Sequence, residues 1–158
     1  MGPTSTPLRL VVDKLRERFS EHLAAVALFG SAARGEATER SDLDFLVILR
    51  AIPKTLERRR EVYKPIRDAV AGHHHQVKDI TVIDVDEEFI KDEDVEITSL
   101  MLNIAADAVI LYDPKGELAT FLGRVHRLIE VAGLERYRTR DGSYGWKPRQ
   151  GPLQAVEV

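Results

Sequence analysis

Residues 24–49 read AAVALFGSAARGEATERSDLDFLVIL. Ala24 to Phe29 is a continuous apolar run that stops at Gly30. A run this short, closed by a glycine, predicts a buried strand. Ser31 to Glu36 predicts a turn and a short helix, Thr38 to Ser41 a polar loop, and Leu43 to Leu49 a second buried strand. Two kinds of chemistry sit at the joints. A strand that ends in Gly30-Ser31 and opens a helix presents main-chain N–H groups to an anion. The glycine lets a phosphate approach the main chain closely, and the serine adds a hydroxyl donor. Asp42 and Asp44 stand at i and i+2, which on a strand places both carboxylates on one face. Side by side in an apolar strand they repel each other and lose hydration. A bound divalent cation offsets both costs. Hard oxygen ligands favour Mg²⁺ or Mn²⁺, held through one or two carboxylates together with substrate phosphates. A phosphate cradle facing such a pair predicts phosphoryl or nucleotidyl transfer.

Outward from this stretch, Leu8, Val11, Val12, Leu15 and Phe19 recur at helical spacing and predict an amphipathic helix over Leu8 to His22. Pro53 marks the first turn of a helix that continues toward Ala71 and stops at Gly72. Val77 to Val85 predicts a third strand and Glu87 to Ile90 a helical turn. A helix is expected over Val95 to Ala106, a short fourth strand over Ala108 to Tyr112, a turn at Asp113–Gly116, and a last helix over Glu117 to Ala132. The alternation predicts an α/β (α+β) domain with a small mixed sheet of three to four strands flanked by helices. The domain is expected over residues 1–133. Residues 134–158, polar and dotted with glycine, are expected to be a basic, poorly ordered tail. The stripe Leu118, Phe121, Leu122, Val125, Leu128, Ile129 is core or a subunit interface of a homo-oligomer.

The chain has 158 residues, a net charge of -3 and no cysteine. One domain follows from the length. Disulfides, thiolate metal sites and thiol nucleophiles are excluded. No apolar stretch is long enough to span a bilayer, and the start lacks the pattern of a signal peptide, so a cytoplasmic protein is expected. The near-balanced charge speaks neither for nor against direct nucleic-acid binding. Its distribution is uneven: the segment from Arg124 to Arg149 is basic, whereas Asp84 to Asp94 is acidic.

The motif GSAARGEATERSDLDFLV (30–47) resembles the signature of the DNA polymerase β-like nucleotidyltransferase superfamily: Gly-Ser, about ten residues, then Asp-x-Asp inside an apolar strand. It is most similar to the minimal nucleotidyltransferases of archaea and bacteria. The likeness is continuous over roughly Val26 to Leu49, and the element order through Tyr112 agrees with it. The resemblance implies that Gly30 and Ser31 hold a nucleoside triphosphate such as ATP, that Asp42 and Asp44 ligate Mg²⁺ or Mn²⁺, and that AMP passes to an acceptor hydroxyl as pyrophosphate leaves. It also implies a third carboxylate on a neighbouring strand, a metal ligand and general base. Asp79, ahead of the apolar strand residues, is favoured over Asp84. Arg34 is a candidate phosphate contact, with a surface arginine as the competing reading. Many minimal members resemble antitoxins paired with a HEPN-type ribonuclease, which makes such a protein the expected partner.

Two other classes compete: a catalytically weak module that binds nucleotide or covers a partner, and an enzyme acting on a small molecule such as an aminoglycoside. The second is disfavoured by the lack of a sizeable substrate domain after Leu134. His73-His74-His75 cannot converge on one ion from regular structure and predicts a solvated loop. Tyr112 is expected in the core. Tyr137, Tyr144 and Trp146 are candidates for stacking a base.

Overall fold

The computed structural model describes residues 6–36, 42–71 and 79–149. The loop at Thr38–Ser41, the triple histidine, and the tail beyond Arg149 lie outside these residues. The apolar run at 23–29 forms strand β1 (Leu23–Phe29), buried along its whole length. A strand buried on both faces belongs in the middle of a sheet. β1 is flanked by β2 (Leu43–Leu49), antiparallel to it, and by β4 (Val109–Tyr112), also antiparallel. β3 (Ile80–Asp86) lies parallel to β2 on the outside, so the sheet runs β3-β2-β1-β4. The mixed four-stranded sheet with flanking helices is the architecture the alternation predicts.

Parallel neighbours require a crossover, which α3 (Leu56–Ala71) supplies between β2 and β3. α3 packs beside α1 (Thr6–Phe19) on one face of the sheet, where Leu8, Val11 and Leu15 meet Val62, Ile66 and Val70 over Phe45 and Val47. The other face is covered by α5 (Ser99–Asp107) and α6 (Glu117–Val131), with Ile104, Leu118 and Phe121 over Ala27, Leu46 and Ile48. Leu118, Phe121, Leu122 and Val125 are buried within this layer, so these four residues of the α6 stripe are core, whereas Leu128 and Ile129 are half-buried. Two short helices complete the frame: α2 (Gly30–Ala33) directly after β1, and α4 (Glu87–Lys91) directly after β3.

Two helix starts lie three or four residues beyond the sequence expectation, and each has a local cause. α3 begins at Leu56 rather than at Pro53, because the Thr55 hydroxyl accepts from the Arg58 N–H at 3.0 Å and caps the helix there. α5 begins at Ser99, four residues after Val95, because the Thr98 hydroxyl accepts from the Met101 N–H. Pro65 lies inside α3. An interior proline costs about 3 kcal/mol, but burial of Val62, Ile66 and Val70 on the same helix contributes roughly 1.5–3 kcal/mol each. Packing outweighs the local penalty.

The largest difference is at the C-terminal side. Residues 134–149, expected as a loose tail, contain a hairpin of β5 (Leu134–Arg138) and β6 (Tyr144–Pro148). The five residues between the strands contain Asp141-Gly142. Gly142 takes φ 87°, and the Asp141 carboxylate accepts from the Ser143 N–H at 3.2 Å. The Tyr137 ring lies over Gly145, so close that a Cβ there would sit 2.5 Å from Cζ. The Trp146 indole N–H donates to Asn103 Oδ1 on α5 at 2.8 Å and ties the hairpin to the domain.

Candidate active site

The chemistry-bearing residues lie where β1 ends and β2 begins, beside α2. Phe29 pairs with Asp44 at the last rung of the β1–β2 ladder, so the chain leaves β1 directly against that carboxylate. Gly30 has φ +73° and lies so close that an added Cβ would fall 2.2 Å from Asp44 Oδ2. Only glycine fits, both for its backbone angle and for the approach. Gly35 shares the backbone angle, with φ +75°, but a Cβ added there would meet nothing within 4 Å, so it isolates the first effect from the second. Gly35→Ala is expected to cost about 1–2 kcal/mol, the ordinary penalty of left-handed backbone. Gly30→Ala should cost more, because Asp44 must also move. Equal costs by urea denaturation would mean that Gly30 and Asp44 are not in contact.

Asp44 is half-buried and Asp42 is exposed. Burial pushes the Asp44 carboxyl above its usual range, and the like charge of Asp42 adds to this. The Thr81 hydroxyl and the Arg34 charge pull the other way. Thr81 faces Asp44 across the parallel β2–β3 pair. Asp79 stands two residues before Thr81, which places it on the same face of the sheet. The Leu43 N–H donates to the Asp79 carbonyl at 3.0 Å, which brings Asp79 alongside Asp42. Its side chain is exposed, with Oδ1 accepting from the Ile80 N–H at 2.8 Å. Among the described residues no three carboxylates or histidines form a ready-made metal cage.

Asp84 is placed elsewhere. It follows Thr81 by three residues and so points to the opposite face, under α3, where it is 1% exposed. There Arg58 Nε donates to its Oδ2 at 2.8 Å, and Arg59 Nε reaches Oδ1 at 3.4 Å. Arg58 also bonds Asp86 and the Ile52 carbonyl. An apolar-bounded aspartate in sequence is here half of a buried ion pair.

Arg34 follows α2 immediately, and its guanidinium is engaged on three sides. Nε donates to Glu36 at 3.0 Å, Nη1 donates to Asp107 Oδ2 at 2.7 Å, and the plane lies 4.9 Å from the centre of the Tyr144 ring. Neither Asp107 nor Tyr144 is singled out by spacing. The available signal was a lone aspartate ending an apolar helix and an Asp-Gly hairpin turn with aromatics beyond it. Tyr112 is half-buried on β4, with the Arg16 guanidinium 5.1 Å from its ring centre.

A family model for a nucleotidyltransferase domain matches residues 8–112, from α1 through the end of β4. The chain belongs to the nucleotidyltransferase family. This nucleotidyltransferase is 30% identical over 122 residues to a candidate protein adenylyltransferase, MJ1305, of Methanocaldococcus jannaschii, covering 75% of this chain and 78% of that one. Among solved structures, a toxin–antitoxin crystal structure with AMP-PNP aligns with a TM-score of 0.53 at 16% identity, over 80% of this chain and 88% of that chain. A spectinomycin adenyltransferase from Enterococcus faecialis, with ATP and spectinomycin, aligns with a TM-score of 0.52 at 17% identity, over 78% of this chain and 66% of that one. At such identities these two establish a shared fold. The match to the family model ends at Tyr112, so α6 and the hairpin lie beyond it. Among the described residues no helix is long and apolar enough to cross a membrane.

Proposed function

We propose that this nucleotidyltransferase transfers AMP from ATP to a hydroxyl acceptor on a protein, in a reaction that depends on Mg²⁺ or Mn²⁺. The observation that carries the reading is the approach of Gly30 to Asp44: a glycine main chain at a helix start, facing a carboxylate pair at a strand end. The donor set fits a hard divalent cation. Asp44 is half-buried beside Asp42, and burial and like charge both resist its ionisation, which a cation would relieve. Mg²⁺ is commonly held through one or two carboxylates together with substrate phosphates, which the Asp42/Asp44 pair can supply.

Asp42 and Asp44 would hold the metal, with Asp79 as a further ligand; when bound, the ion supplies positive charge against the phosphates. The Gly30 and Ser31 main chain and the Ser31 hydroxyl bind and orient the triphosphate. Asp79 accepts the proton of the attacking hydroxyl. The acceptor oxygen bonds to the α-phosphorus, the bond from that phosphorus to the oxygen bridging to the β-phosphate breaks, and pyrophosphate leaves. The protein acceptor is supported by the name of the Methanocaldococcus relative. An antitoxin role beside a HEPN-type toxin is supported by the sequence resemblance. The catalytic unit is residues 1–133, with the hairpin added to it.

The reading is tested by thermal unfolding with ATP and Mg²⁺. At a ligand concentration a hundred times Kd, binding stabilises by about 2.7 kcal/mol, or roughly 5–10 °C for a chain of this size. Chelation of the metal should abolish most of the rise. A rise equally large in EDTA would remove the metal from the proposal. Stabilisation by ATP and Mg²⁺ without transfer to any partner protein would favour a nucleotide-binding or partner-covering module.

A further inference from the structure

The cluster around Asp107 joins three parts of the chain that the proposed reaction does not otherwise connect. Asp107 ends α5, and its side chain is only 4% exposed. It accepts from Arg34 Nη1 at 2.7 Å and, through both oxygens, from the hairpin residue Arg136 at 2.8 and 3.0 Å. A fork-shaped pair of this kind fixes orientation as well as distance. The guanidinium groups of Arg34 and Arg136 both lie against the Tyr144 ring of the same hairpin, with centres 4.9 and 4.1 Å from its centroid. Arg34 in turn is bound to the triphosphate turn by its main chain: its N–H donates to the Gly30 carbonyl at 3.1 Å, while the Glu36 N–H donates to that of Ser31 at 3.0 Å. The Arg34 charge also acts on Asp44.

We propose that Asp107 and Arg136 are positioning residues for the nucleotide: they hold Arg34, and through it the Gly30–Ala33 turn, in the orientation that receives the triphosphate. The hairpin, outside the segment matched by the family model, thereby belongs to the working site. Arg34 shares its charge between Asp107 and the site, and without Asp107 its remaining carboxylate partner is Glu36, which is exposed to solvent and shared with Arg138. Loss of Arg136 leaves Asp107 half-satisfied and free to draw Arg34 away from the turn. The inference rests on the proposed triphosphate site.

The test is calorimetric binding of a non-hydrolysable ATP analogue with Mg²⁺ to the full chain, at a temperature where circular dichroism shows every variant folded. Asp107→Asn and Arg136→Gln are each expected to weaken binding about tenfold. The double variant should be little weaker than either single one, because the residues act as one unit. Arg136→Lys should restore only part of the affinity, since an ammonium lacks the fork. Lys147→Ala, on the same hairpin, where the ammonium lies 3.9 Å from Glu135 and 5.4 Å from the centre of the Tyr137 ring, should bind as the wild type does. Affinities of Asp107→Asn and Arg136→Gln within twofold of wild type, even with lowered melting temperatures, would overturn the inference and leave the site reading standing. No binding by the wild type would overturn both.

Discussion

Asp44→Asn is expected to abolish nucleotidyl transfer while leaving the nucleotide-free protein as stable as the wild type or more so. The two effects have one cause. Burial and the neighbouring Asp42 push the Asp44 carboxyl above its ordinary range, so its ionisation at neutral pH opposes folding. The sign follows directly. An acid whose folded pKa is raised binds its proton more tightly in the folded state, and stability falls as pH rises through the interval between the unfolded and folded values. An amide of the same shape removes that cost and keeps a partner for the Thr81 hydroxyl. It also removes a charge that the metal and triphosphate need, and the loss in turnover should be on the order of 10²–10³-fold or greater. Asp42→Asn should show the same loss of transfer with a smaller change in stability, because Asp42 is exposed. Parallel measurements of urea midpoint and label transfer check both halves. A destabilised Asp44→Asn would mean that the carboxylate is part of the scaffold. Retained transfer would mean that the site lies elsewhere.

Asp84→Asn is expected to act in the opposite way, with a large loss of stability and no direct effect on chemistry. Asp84 and Arg58 are each about 1% exposed in their side chains and bond at 2.8 Å. Removing one charge of such a pair leaves the other buried without full compensation, which costs about 3–5 kcal/mol. That is a large part of the total of roughly 5–15 kcal/mol available to a domain. Arg58 Nη2 is already buried with no hydrogen-bond partner among the described residues, so the site has little slack. The double replacement Arg58→Met/Asp84→Leu should be far less costly than Asp84→Asn, since no buried charge is left unpaired and Asp86, the other partner of Arg58, is 43% exposed and solvated. The pH dependence is fixed in sign. Burial alone pushes the Asp84 carboxyl up, but the hydrogen bond and charge of Arg58 outweigh it and hold the group below its usual range. Its contribution is therefore complete above the unfolded value of about 3.9 and is lost as pH falls through the lower folded value. Denaturation between pH 3 and 7 should show a shallower acid decline in Asp84→Asn than in wild type. A cost below about 1 kcal/mol, the range of exposed pairs, would contradict the buried pairing.

The contrast between Asp44 and Asp84 shows how far the sequence alone reaches. Both aspartates sit among branched apolar residues, and spacing does not separate them. Gly-Ser followed by Asp-x-Asp was legible because each residue stands at an element end, where the strand and turn patterns are strong. The buried runs at 23–29 and 43–49 made the central strands legible for the same reason. Asp84 became interpretable only once the β2–β3 register placed it opposite Val47 and under α3. The Arg34–Asp107–Arg136 cluster depends on contacts across 29 and 73 positions of sequence, which local periodicity does not encode. The hairpin was missed for a different reason. Its strands are only half-buried, so they lack the apolar alternation that marks a strand, and the Asp141-Gly142 turn was the main cue left.

Transfer of a nucleoside monophosphate by the Gly30–Ser31 turn and the Asp42/Asp44 pair can be read by incubating the protein, Mg²⁺ and a partner protein with ATP labelled at either the α- or the γ-phosphate. The α-label alone should become attached to protein, with pyrophosphate released in equal amount and no attachment in Asp42→Asn/Asp44→Asn. Attachment of γ-label, or undiminished α-label in the double variant, would overturn the proposed reaction.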